Sequence, residues 1–149
     1  MNSIVKIVIV VVIIIIMGVI NYFVFGYSNS LANDVEILSE INQIRSGLEV
    51  YLANNNHYPI VNEPVLLNDP YSSTEVLCVD QFKKADVDCD KLILSPVSRL
   101  QDVQYYYQSV DNNLNYRIEF TLEHNFKDIG LLKGKNCASN KQIINQPCF

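Results

Sequence analysis

The side chains with the plainest chemistry in this chain are four cysteines and a short acidic run. The cysteines fall in two pairs of equal spacing, Cys78/Cys89 and Cys137/Cys148. In a domain outside the cytoplasm an even count implies disulfides. Three connectivities are open, and local pairing, Cys78–Cys89 with Cys137–Cys148, is the simplest. Each bridge would then close a loop of about twelve residues and contribute up to roughly 3 kcal/mol through chain entropy. The long spacing and the lack of a Cys-x-x-Cys pattern argue against zinc. The run Asp86-x-Asp88-x-Asp90 opens like a calcium loop. Lys91 and Val97 stand where such a loop needs glycine and the closing glutamate. Asp86, Asp88 and Asp90 are therefore calcium candidates for which a solvated acidic loop is the plainer reading, and no other cofactor is expected.

His57, before Tyr58-Pro59, and His124, after the last clear strand, both read as surface positions. No spacing places a nucleophile beside a base, and no glycine-rich phosphate loop is present, so no enzymatic activity and no small-molecule substrate are expected. The net charge is -5 with no Lys/Arg cluster, which speaks against nucleic-acid binding by this chain alone.

The elements that would carry these residues follow from hydrophobic patterning. Hydrophobic residues make up 49% of the chain's 149 residues, and they are concentrated at the N-terminus. From Ile7 to Phe25 there is no charge, and Ile and Val dominate. At 1.5 Å per residue this run would measure roughly 28 Å, close to the ~30 Å of a bilayer's hydrocarbon core. Tyr22 and Tyr27 would lie in an interfacial belt, and Lys6 before the span would hold the N-terminus in the cytoplasm. The expectation is a single-pass membrane protein: a cytoplasmic N-terminus at 1–6, a transmembrane helix at 7–27, an exposed continuation at 28–54 and a globular β-rich domain at 55–149, periplasmic or extracellular. A cleaved signal peptide is the rival reading, with Ser28-Asn29-Ser30 and Leu31-Ala32-Asn33 as poor cleavage sites.

Beyond Ser30, Leu31, Val35, Leu38, Ile41, Ile44, Leu48 and Leu52 recur at steps of three and four, the mark of one helical face. Glu36, Glu40, Arg45 and Glu49 fall to the other side, and Asn54-Asn55-Asn56 suits a left-handed helix end. Val103, Tyr105 and Tyr107 alternate with polar positions, as do Tyr116, Ile118, Phe120 and Leu122. Both segments predict half-buried strands, joined at Asp111-Asn112-Asn113. A third strand is predicted near Leu92–Leu94. The expected fold class is α+β, with the helix stripe lying across a small antiparallel sheet.

The segments Ile44-Arg45-Ser46-Gly47-Leu48-Glu49-Val50-Tyr51 and Asn54-Asn55-Asn56-His57-Tyr58-Pro59 resemble the type IV pilin-like and type II secretion pseudopilin family. There the exposed half of a long helix ends in Arg-x-x-Leu-Glu-x-Tyr, followed by a turn and Tyr-Pro. Leu77-Cys78-Val79, Leu92–Pro96, Tyr105–Tyr107 and Tyr116–Glu123 follow in the family's order. The resemblance implies a pilin-like fold, a structural subunit of a surface or secretion filament, and partners that are copies or related subunits packed through the apolar helix. It also likens the loop closed by Cys137 and Cys148 to the C-terminal disulfide loop of pilins. The N-terminus departs from the pattern. Met1-Asn2-Ser3-Ile4-Val5-Lys6 replaces the processed leader, and Val5 stands where the mature family carries glutamate. A membrane-tethered binding module that never polymerises is the alternative expectation.

Overall fold

The computed structural model describes residues 3–69, 71–95, 97 and 103–149, with side-chain placement along the helix for residues 9, 11–20 and 28 onward. The elements are a helix α1 (Ser3–Asn55), then β1 (Val65–Leu66), β2 (Val76–Cys78), β3 (Phe82–Lys83), β4 (Leu92–Leu94), β5 (Tyr106–Val110), β6 (Asn115–Leu122), β7 (Gly134–Ser139) and β8 (Ile143–Ile144). A single 3-10 turn, Lys127–Ile129, lies between β6 and β7. The chain divides into two compact units, Met1–Asn33 and Asp34–Phe149.

The expected fold class, a long N-terminal helix packed pilin-like on one small sheet with its first half crossing a membrane, is corrected on two counts. The second unit holds two antiparallel sheets: one of five strands, ordered β1-β5-β6-β7-β8, and one of three, ordered β3-β2-β4. And no long apolar helix is found among the described residues. The stretch of α1 whose side chains are described without a break into the second unit, residues 28–55, has 28 residues and is amphipathic. The single-pass localisation is overturned with it, since among the described residues no helix is long and apolar enough to cross a membrane. Among the described side chains the continuous apolar stretch is residues 11–20, which rises about 15 Å, half of a hydrocarbon core. The side chains of Val5, Lys6, Tyr22 and Tyr27 lie outside the described residues, as does Pro96.

In the unit from Asp34 onward, one face of α1 is the spine of the core. Ile37, Ile41, Ile44, Leu48 and Tyr51 are buried at steps of four, three, four and three. This face is rotated from the predicted one: Val35 is exposed, and Leu38 and Leu52 only flank the core. Burying each such aliphatic side chain contributes about 2 kcal/mol. Tyr105 just before β5, Tyr107 from β5, and Tyr116, Ile118, Phe120 and Leu122 from β6 complete the same cluster, with Leu77 and Phe82 from the smaller sheet.

The strand predictions hold where alternation is long. β5 and β6 pair antiparallel from Tyr106↔Glu119 to Val110↔Asn115, and β4 falls on Leu92–Leu94. The β5–β6 connection places Asp111, Asn112 and Asn113 all at positive φ. Aspartate and asparagine tolerate that region at little cost, and Tyr58 N–H secures the turn by donating to Asn113 O at 2.8 Å. Helix α1 ends as predicted within the asparagine triplet, with Asn56 left-handed (φ 60).

The start of this unit is pinned by a buried carboxylate. Asp34, 1% exposed, accepts from Glu123 N–H at 3.0 Å and from His124 N–H at 2.8 Å. It also pairs with His124 Nδ1 at 2.8 Å. Removing the carboxylate strands two backbone donors, at about 1–3 kcal/mol for each buried group left unpaired. Asp34→Ala is therefore expected to lower the unfolding free energy of this unit by about 3 kcal/mol, read by urea denaturation. A loss under about 0.5 kcal/mol, the scale of an ordinary surface substitution, would show the clamp to be dispensable.

Candidate functional site

Both disulfides form with local pairing. Cys78–Cys89 and Cys137–Cys148 each bridge a sequence separation of 11. Their loops are tied to the rest of the unit by polar side chains. Tyr51 Oη donates to Asp80 O at 2.6 Å, and Asn55 Nδ2 donates to Val79 O at 2.6 Å, so the end of α1 holds the first loop. Arg45 Nε donates to Ser139 O at 3.1 Å, next to the second loop. From β6, Glu119 accepts from Cys148 N–H at 3.0 Å, while Arg117 donates to Cys148 O at 3.2 Å. Lys135 Nζ, 2.6 Å away, balances the buried Glu119 carboxylate.

The segment quoted for its family resemblance thus carries structural work. Arg45 and Tyr51 reach the two loops, and Glu49 accepts from Tyr58 Oη at 2.9 Å. Tyr58, Tyr107 and Tyr116 form a ring cluster, with centroids 4.8 Å apart for Tyr58–Tyr116 and 6.2 Å for Tyr107–Tyr116. Burial raises the pKa of all three. For Tyr58 the Glu49 carboxylate adds to the rise. Tyr116 is pushed up to about 12, with Arg45 pulling the other way. Tyr51 is raised by burial and by Asp80.

The histidines part ways. His57 is half-buried beside Tyr51, its Nδ1 2.8 Å from Tyr58 O. His124 is not the solvated residue the sequence suggested, since it is held against Asp34. Glu40, assigned by its spacing to the exposed face, is buried and accepts from Tyr105 Oη at 2.8 Å. The calcium candidates Asp86, Asp88 and Asp90 are exposed in the β3–β4 connection. Among the described residues no group of three or more His, Cys, Asp or Glu is placed to hold a metal ion.

The largest unexplained feature lies in the other unit. Residues 11–20, Val-Val-Ile-Ile-Ile-Ile-Met-Gly-Val-Ile, are helical, and each one is exposed. Exposure runs from 48% at Val11 to 65% at Ile14. Because the residues are consecutive, every side of the helix is apolar there, not one stripe. An apolar surface of this extent on a protein marks an interaction site. A Cβ built at Gly18 meets nothing within 4 Å, so the surface carries a shallow notch. Comparison with known protein families, curated proteins and solved structures finds no match to this chain.

The tyrosine cluster yields a test in alkali. A tyrosine whose folded pKa is raised stabilises the fold fully below the unfolded value, about 10, and loses that contribution as pH rises through the folded pKa. Unfolding is therefore expected between pH about 10 and about 12, the upper end being the Tyr116 value. Absorbance-detected titration of the nine tyrosines should show a late fraction that ionises together with loss of the circular-dichroism signal. A single early phase in which all tyrosines ionise while the fold persists would contradict the burial of the cluster.

Proposed function

We propose that the chain is a non-catalytic structural subunit of a pilin-like filament, which assembles with copies of itself or related subunits through the apolar helical segment at residues 11–20. The observation that carries this reading is the exposure of that segment on all sides. Nine of its ten residues are large and apolar, and each would gain about 1 kcal/mol on losing its remaining contact with water. Helix packing against equivalent segments of other copies covers such a surface, and the open notch at Gly18 permits close approach of two backbones. The second unit supports the reading in a different way. Its two bridges and the ties from Arg45, Tyr51 and Asn55 make a domain closed by covalent and polar links. The resemblance of residues 44–51 and 54–59 to type IV pilin-like subunits agrees with it.

Ile14 is the most exposed residue of the apolar run, so a charge there leaves the isolated subunit's own packing untouched. The wild-type chain is expected to form concentration-dependent oligomers in sedimentation velocity. Ile14→Asp is expected to shift them to monomer by at least tenfold in dissociation constant, with the far-ultraviolet spectrum unchanged. The reading fails if the wild type stays monomeric throughout, or if Ile14→Asp assembles as the wild type does.

A further inference from the structure

An open groove of about 610 Å³ lies in the second unit between α1 and β4. One wall is made of four consecutive residues, Lys91, Leu92, Ile93 and Leu94. Side chains along a strand alternate between faces, so four in a row cannot line a groove through one face. The wall is the strand's edge. In the sheet order β4 is terminal, with β2 as its one strand neighbour among the described residues. Such an edge presents N–H and C=O groups that pair readily with another extended chain.

The opposite wall is helical. Ser39, Asn42, Gln43 and Ser46 line it from α1, at spacings of three, four and seven, and all four are exposed. Every one carries a hydrogen-bonding side chain of modest length. Gly47 lets the helix and strand approach: a Cβ built there would sit 3.5 Å from Leu94 Cβ. Leu92 and Val50, both about half exposed (54% and 47%), give the groove its apolar contacts. Among the described residues that line it, Lys91 is the one charged side chain.

We infer that this groove docks an extended segment of a partner protein, which adds to the edge of β4 as a fourth strand of the smaller sheet. Main-chain hydrogen bonds to the strand edge supply affinity in this mode of recognition, and alternate side chains supply specificity. The chemistry of the walls describes the segment. Alternate apolar residues meet Leu92 and Val50, small polar residues face the amides of Asn42 and Gln43, and an acidic residue pairs with Lys91. A helical partner does not fit this chemistry, because a helix satisfies its own backbone and leaves the β4 edge unpaired. The inference stands apart from assembly through residues 11–20, since it concerns different residues and a different unit.

The test uses the full chain, isotope-labelled and with both bridges intact, and the blocked peptide Ac-Asp-Val-Thr-Val-Thr-NH2 as probe. Chemical-shift changes are expected at the backbone amides of Lys91–Leu94 and at the side-chain amides of Asn42 and Gln43. Two analogues, each N-methylated at one alternating set of peptide amides, separate strand addition from mere apolar contact. At least one is expected to bind tenfold or more weakly, the effect of losing two main-chain hydrogen bonds. Ser46→Tyr, at an exposed helical position, fills the groove and is expected to weaken binding at least tenfold with the fold retained. The inference is overturned if the peptide causes no shifts at β4 at millimolar concentration, if both N-methylated analogues bind like the parent, or if Ser46→Tyr binds undiminished.

Discussion

The unit from Asp34 onward depends on one face of one helix being covered. Five of its eight described strands are short: β1, β3 and β8 have two residues each, and β2 and β4 have three. The smaller sheet is built from such strands alone and needs a helix or a further layer to bury its apolar side. Ile41, Ile44 and Leu48, all at 0% exposure, supply it. Once that face is covered, polar side chains along the helix reach outward to fix the loops. Asp34 holds the end of β6, Glu40 accepts from Tyr105, Arg45 reaches the second disulfide loop, and Tyr51 and Asn55 hold the first. The bridges then restrict loops that are already anchored at one side by the helix.

The contrast with the first unit is one of context, not composition. Residues 11–20 and the buried face of residues 37–48 both rely on isoleucine. In one unit these side chains lie under two sheets, and in the other they are exposed. The hydrophobic term is proportional to apolar area removed from water, so the same residues that stabilise the second unit make the first one a surface in need of cover. The cover proposed here is the equivalent segment of another subunit.

The sequence was most legible where a period repeats. Apolar and polar residues alternate along the eight residues of β6, although Glu119 is buried between Ile118 and Phe120, and the positive-φ turn at Asp111–Asn113 is the kind that aspartate and asparagine favour. Of the three connectivities the sequence leaves open for the cysteines, the simplest, local pairing, is the one formed. Legibility failed where a single long-range partner decides. Glu40 shares its helical spacing with exposed charges, and only Tyr105, 65 residues away, makes burial tolerable. His124 follows a strand end like any solvated residue, yet Asp34 lies 90 positions earlier and claims it. The helix face was misjudged by a fraction of a turn, because Val35 and Ile37 suit neighbouring stripes equally well by spacing. Strands of two residues carry no period at all, which is why β1, β3 and β8 left no trace, and the α1–β4 groove could not be seen before the edge position of β4 was known.

If residues 11–20 are an assembly surface and the second unit is complete in itself, hydrogen–deuterium exchange on dilute and concentrated samples of the intact chain will separate the two. Peptides covering residues 11–20 are expected to gain protection as concentration rises, while those covering residues 34–55 are equally protected at both concentrations. Protection at residues 11–20 that does not change with concentration, or protection at residues 34–55 that does, would contradict this.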